Sequence, residues 1–159
     1  SNLSYTLITL LLAFHVIGSH YTYPKVPFTV AIPYIFDPIR NNFDRLVHFA
    51  WGLLICYPVY ELLLRIGKMS IKWVYTITFS LIIAASSVFE LIEMWGAKAM
   101  AKTQALMYLG TQGDIWDAHE DIAMALYGSL ITLGIIVGLR YYALQRKKSA
   151  LINLTSLDK

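Results

Sequence analysis

Four apolar runs, each long enough to cross a bilayer as a helix, constrain this chain more than any other feature. They occupy about residues 3–19, 43–64, 71–95 and 115–139. A helix rises about 1.5 Å per residue, so about 20 residues span a hydrocarbon core of about 30 Å. Within hydrocarbon every backbone polar group must be satisfied by the chain itself, which leaves helices and closed barrels. The runs are continuously apolar and show no two-residue alternation, so helices are expected. The expected fold is all-α: a polytopic transmembrane bundle of about four membrane-spanning helices over residues 1–142, followed by a cytoplasmic polar tail over 143–159. Composition agrees, because charged residues make up 14% of the chain, against roughly 25% in a soluble domain.

The connections are legible. The first, HYTYPKVPFTVAIPYIFDPIRNN, carries four prolines and several tyrosines and reads as a segment lying in the membrane interface. The second, RIGKMSIK, is short, and the third, GAKAMAKTQALMYLGTQGD, reads as a loop. Arg65, Lys68 and Lys72 in the second connection share a side with Arg140, Arg146, Lys147 and Lys148 after the fourth run. Lys25, Arg40, Arg45, Lys98 and Lys102 are spread over longer connections on the opposite side. Positive-inside counting therefore expects a multi-pass protein of the inner (plasma) membrane with a cytoplasmic C-terminus.

The net charge of +3 is not gathered into a basic stripe with interleaved aromatics, so nucleic acid is not an expected partner. Cys56 is the one cysteine, which excludes an internal disulfide and a CxxC motif. Residues 1–18 lack a basic start and a small-residue cleavage site and read as a span rather than a signal peptide. A trimmed N-terminus is expected from the first residue, Ser1.

Ionisable residues inside membrane helices are costly and call for a reason. The second run opens with Asp44 and His48, and the third ends with Glu90 and Glu93. The fourth opens with Asp114, Asp117, His119, Glu120 and Asp121, and the first ends with His15 and His20. Alternating crossings bring all of these to one membrane face, expected to be the outer one. Glu61 lies at the opposite end, four residues before Arg65, and reads as an ion pair along the helix.

Asp44 and His48, Glu90 and Glu93, and Asp117 and Asp121 each fall on one helix face. So many carboxylates in low dielectric must share protons, pair with basic side chains such as Arg45, or bind a cation. Oxygen-rich ligands with an imidazole suit a divalent Zn, Mn, Fe or Mg ion. The expected metal ligands are His48, Glu90, Glu93, Asp117 and Asp121, with His20 and Asp114 at the edge of the set. Glu90 and Asp44 are the expected catalytic carboxylates, with Glu93 as another candidate base. Plainer readings compete: Asp114 as a helix cap, Asp44 and Asp117 as complements to helix dipoles, and Arg45 or Lys98 as neutralising partners. Those readings do not reach Glu90 and Glu93, which sit at a helix C-terminus where the dipole opposes an acid. His119 is two residues from both Asp117 and Asp121 and faces away from them. The boundary tyrosines and tryptophans, among them Trp95 and Trp116, read as an aromatic belt.

GSHYTYPKVPF, RNNFDRLVHFAWG, FELIEMW and LGTQGDIWDAHEDI resemble the YjdF-like family of bacterial inner-membrane proteins, from about His15 to about Leu139. FDRLVHF also resembles, more distantly, the Asp-Lys-x-x-His-Phe signature of VanZ-like membrane proteins. The first resemblance implies further membrane sequence before the first run. It also implies polar family positions at His20, Asp44, His48, Glu90, Glu93, Asp114, Asp117 and Asp121. His119 and Glu120 depart from the family pattern. The resemblance implies a fold and a location, not a reaction.

Three functions follow as expectations. A metal-dependent membrane enzyme, a hydrolase or transferase acting on lipid or isoprenoid substrates, would use a metal near the interface and a spare carboxylate as base. A cation or proton transporter would need polar residues through the inner halves of the helices, where only Thr76, Ser80 and Thr132 stand out. An accessory subunit of a larger membrane complex or oligomer would use the acids as a packing network. Membrane lipids are expected partners in every case.

Overall fold

The computed structural model describes residues 1–27 and 40–157 of the chain. Most of the expected interfacial segment lies outside the described residues. The described residues form helices and no strand: α1 (Asn2–Tyr21), α2 (Phe43–Ala50), α3 (Cys56–Arg65), α4 (Ile71–Lys98), α5 (Lys102–Leu109) and α6 (Asp117–Leu157). Four rods among them are long and apolar enough to cross a membrane: Asn2–Tyr21, Phe43–Arg65, Ile71–Lys98 and Asp117–Ala150. The protein is a polytopic helical membrane protein, as the apolar runs require. Large apolar side chains such as Val16, Val88, Ile92 and Ile135 are exposed on the outside of the bundle, where lipid replaces water as the solvent.

The second span, Phe43–Arg65, is one rod in three pieces, with a π-helical turn, Trp51–Ile55, joining α2 to α3. Pro58 accounts for the interruption. It has no N–H to donate to Leu54, and its ring crowds that carbonyl; a wider turn just upstream relieves both. Neighbouring spans then pin the distorted segment. Thr132 of α6 donates its hydroxyl to the Leu53 carbonyl at 2.6 Å, and the Trp51 indole N–H donates to the Ile82 carbonyl of α4 at 3.2 Å.

This second span is the hub. It packs against α1, α4 and α6, and its crossing with α6 depends on two glycines. A Cβ on Gly52 would lie 2.0 Å from the Ala125 carbonyl oxygen, and one on Gly128 would lie 2.3 Å from the Phe49 carbonyl oxygen. Backbone meets backbone there, as small residues allow in membrane helix pairs.

The third connection is not a plain loop. It contains α5, which ends on Gly110 in the left-handed conformation (φ 64°). That glycine sits against the start of the second span, with its Cβ position 3.6 Å from Asp44 Oδ2. Gln112 and Asn41 then exchange two hydrogen bonds, 2.8 and 2.9 Å long, and the Asn41 amide donates to the Val26 carbonyl. The first and third connections are thereby stitched together at one end of the bundle. At the other end Glu61 accepts from the Ser4 hydroxyl and pairs with Arg65 at 3.2 Å, as the spacing along α3 predicts.

α6 begins at Asp117, two residues beyond the expected start. Asp114 accepts the Trp116 N–H at 2.8 Å and so forms an Asx turn ahead of the helix rather than its N-cap. The helix continues without a break past residues 139 and 142 to Leu157. Its 41 residues make a rod of about 60 Å, about twice the hydrocarbon thickness.

Gly52→Ala is expected to lower the thermal midpoint of the detergent-purified protein, with an overpacking cost of about 1–3 kcal/mol or more. Gly134 has open space around its Cβ position. Gly134→Ala is expected to leave the midpoint unchanged or raise it, in line with a helix-propensity gain of up to about 1 kcal/mol. Equal midpoints for Gly52→Ala and the parent would refute the close crossing.

Candidate functional site

The site forms where the ends of α1 and α4 meet the starts of α2 and α6. On α2, Asp44 and His48 lie one turn apart, with Arg45 beside them, and all three are buried. On α4, Ser86 and Glu90 share a face by the same four-residue spacing, and on α6 so do Asp117 and Asp121. Tertiary packing then separates these groups into two layers.

The outer layer is a clasp of arginines and acids. Arg40 holds Asp114 at 3.1 Å and Asp117 at 2.5 Å. Arg45 pairs with the same Asp114 oxygen and with Glu120. Both guanidinium side chains are almost wholly buried, at 3% and 4% exposure, so the acids are needed to offset their desolvation. The Trp116 N–H, and then Arg45 and Arg40, hold the Asp114 carboxyl below its ordinary range. Tyr23 lies nearby and hydrogen-bonds His15 Nδ1 at 2.8 Å. Burial, with the charges of Asp44 and Glu93, pushes the Tyr23 phenol up to about 12.

The inner layer is His48, Glu90 and Asp121. One potential ligand atom from each lies within 4.8 Å of the other two. His48 Nε2 is 3.1 Å from Glu90 Oε1 and 3.9 Å from Asp44 Oδ1. Its other nitrogen, Nδ1, is 3.2 Å from the Ser86 hydroxyl. Asp121 Oδ1 is buried without a hydrogen-bond donor among the described residues, and buried Glu90 Oε1 has His48 Nε2 as its neighbour. Asp121 is only 1% exposed, so water does not satisfy that oxygen from bulk. A carboxylate oxygen left this way is costly unless a proton or a cation sits against it.

Two cavities flank this layer. A cleft of about 440 Å³ between α4, α5 and α6 is lined by Glu90, Glu93, Asp114 and Asp117. A second cavity of about 200 Å³ between α1, α2 and α4 is lined by apolar side chains together with His15, His48 and Ser86.

The expected residues therefore take different places. His48, Glu90 and Asp121 converge, with Asp44 just outside them. Glu93 faces the acidic cleft without joining the three. Asp114 and Asp117 line the same cleft but are held by arginines. His20 is exposed at the end of α1 and packs edge-on against Tyr21, away from the group. His119 packs against Trp116, also outside it. Sequence reasoning overlooked the pairing role of Arg40, and it overlooked Ser86. The signal for Ser86 was present, because it lies four residues before Glu90 on the same helix face.

Over residues 1–142 the chain matches the family described as "Predicted membrane protein (DUF2238)". It is 37% identical over 151 residues to the Inner membrane protein YjdF of Escherichia coli (strain K12), an alignment covering 94% of this chain and 71% of that protein. No solved structure matches.

Removing one partner of a buried pair strands the other, at about 3–5 kcal/mol. Arg40→Gln and Asp117→Asn are each expected to destabilise the protein on that scale, read as a lowered thermal midpoint in detergent. Arg40→Met combined with Asp117→Leu should recover most of the loss. A double variant whose loss equals the sum of the single losses would refute the pairing.

Proposed function

The chain belongs to the DUF2238 family of membrane proteins, and we propose that it is a metal-dependent membrane enzyme, a hydrolase or transferase acting on lipid or isoprenoid substrates. The observation that carries this reading is the buried convergence of His48, Glu90 and Asp121, with an Asp121 oxygen that lacks a donor among the described residues. The donor set fits a divalent ion: one imidazole and two carboxylates make up the three-ligand arrangement of catalytic metal sites, which keep a position open for water or substrate. Zn, Mn and Fe suit it best, and Mg suits the carboxylates alone.

The residues around the three have roles consistent with this. Ser86 faces His48 Nδ1, so that nitrogen can carry the proton and leave the Nε2 lone pair free for a ligand bond. Asp44 stands behind Nε2 and adds negative charge that favours a cation. Glu93 lines the cleft as a carboxylate outside the ligand set, in place to take a proton. When bound, a divalent ion polarises a phosphoryl or carbonyl oxygen and acidifies coordinated water. With the C-terminus in the cytoplasm, this chemistry faces the outer side of the inner membrane.

Transport is the less favoured reading. Thr76 and Ser80 face outward. Ser129 and Thr132 donate their hydroxyls to backbone carbonyls, which leaves them occupied with packing.

Metal analysis of the purified protein should find a stoichiometric transition metal that is lost in His48→Ala and Asp121→Asn and kept in Asp114→Asn. Binding should strengthen as pH rises, because the ligands bind deprotonated. Added metal at about 100-fold over its Kd should stabilise the parent by about 2.7 kcal/mol and leave His48→Ala unmoved. Absence of metal, with no stabilisation by Zn, Mn, Fe or Mg, would sink the proposal. Turnover of phospholipids or polyprenyl phosphates would then separate an enzyme from a metal-binding protein.

A further inference from the structure

The apolar cavity of about 200 Å³ is separate from the acidic cleft. Its walls are Val47, Trp51, Ala85 and Phe89, and its polar spots are His48, Ser86 and His15. Ala85 lies near the middle of α4, at hydrocarbon depth. Ala85 and Phe89 are both exposed on the outside of the bundle, so this side of the cavity meets the bilayer and not water. The rings of His15 on α1 and Phe89 on α4, both in the lining, lie with their centroids 6.5 Å apart. Apolar cavities of about 150 Å³ stay dry and accept hydrocarbon.

We propose that this cavity is the seat of one acyl chain of a membrane phospholipid, taken sideways from the bilayer between α1 and α4 with its polar end turned toward His48. This rests on the metal-enzyme reading only for what happens at His48; the cavity itself stands on its own geometry. Three features carry it. The lining is apolar along the walls and polar at one end. The opening faces lipid at mid-helix. His48 is shared, because one edge of its ring lines the cavity while Nε2 contacts Glu90 on the acidic side. A chain lodged there presents the first polar bonds of its lipid to the group that holds the carboxylates. The close His15 and Phe89 rings in the wall favour a slender unbranched chain over a methyl-branched isoprenoid.

The test uses the full chain in vesicles of phosphatidylethanolamine and phosphatidylglycerol, with a trace of phosphatidylethanolamine carrying a diazirine in one acyl chain. After irradiation, label is expected to concentrate on Trp51 and Phe89. Ala85→Trp fills the cavity, whereas Val88→Trp puts the same side chain at an exposed, lipid-facing position of α4 that does not line it. Labelling at Trp51 should fall about tenfold in Ala85→Trp, the effect of losing the burial of about two methylenes. It should be unchanged in Val88→Trp, with equal metal content in both. If Ala85→Trp loses its fold, Ala85→Leu replaces it, with a smaller decrease expected. Undiminished label in the filled variant, or label spread evenly over the exposed faces of α1 and α4, would overturn the proposal. Displacement by polyprenyl phosphate but not by excess phospholipid would also overturn it, in favour of an isoprenoid. Labelling that follows the prediction in a protein without metal would refute the metal site and leave the chain site standing.

Discussion

The arrangement at the site end of the bundle depends on the burial of Arg40 and Arg45. Two guanidinium groups with 3% and 4% side-chain exposure cannot remain charged in low dielectric without anionic partners. Those partners, Asp114, Asp117 and Glu120, come from the α5–α6 connection and from α6, about seventy residues further along the chain. Satisfying the arginines therefore draws the start of α6 against the start of the second span. The Gln112 side-chain amide reinforces the same junction by two hydrogen bonds with the Asn41 backbone.

The pairing also decides which acids remain. Asp114, Asp117 and Glu120 are taken up by the arginines, and Asp44, Glu90, Glu93 and Asp121 are left around a single imidazole. That excess of acceptor oxygens over donors gives the site its character. A proton shared among the carboxylates or a divalent ion would satisfy them.

The distorted second span serves the same end. Pro58 prevents a regular helix through mid-membrane, and the π turn at Trp51–Ile55 absorbs the fault. Within that turn the Leu53 carbonyl accepts the hydroxyl of Thr132 from α6. The turn begins three residues after His48, so the registration of the site against α6 and the repair of the helix are one packing problem. Gly52 and Gly128 make the approach close enough for both.

Much of this was legible in the chain. The four spans follow from apolar runs because burial in lipid is summed locally, residue by residue, and needs no partner. The pairing of Glu61 with Arg65, and the shared faces of Asp44 with His48 and of Asp117 with Asp121, follow from helical spacing alone. The alternation of crossings was enough to bring the acids to one end. α5 was missed because its eight residues carry a weak apolar pattern inside a polar connection. The start of α6 was set two residues early, since the Asx turn of Asp114 looks like a cap until the backbone is seen.

Helical spacing could not sort the acids into two layers, place His20 outside the group, or reveal the cavity between α1 and α4. Each of these depends on distances across helices that are far apart in sequence, and on which partner a buried charge finds first. The sequence by itself determined that this is a membrane bundle with most of its acidic groups at one end. Only the tertiary structure decided that Arg40 and Arg45 consume three of the acids and that His48, Glu90 and Asp121 converge, because electrostatic satisfaction in low dielectric is settled between helices and not along them.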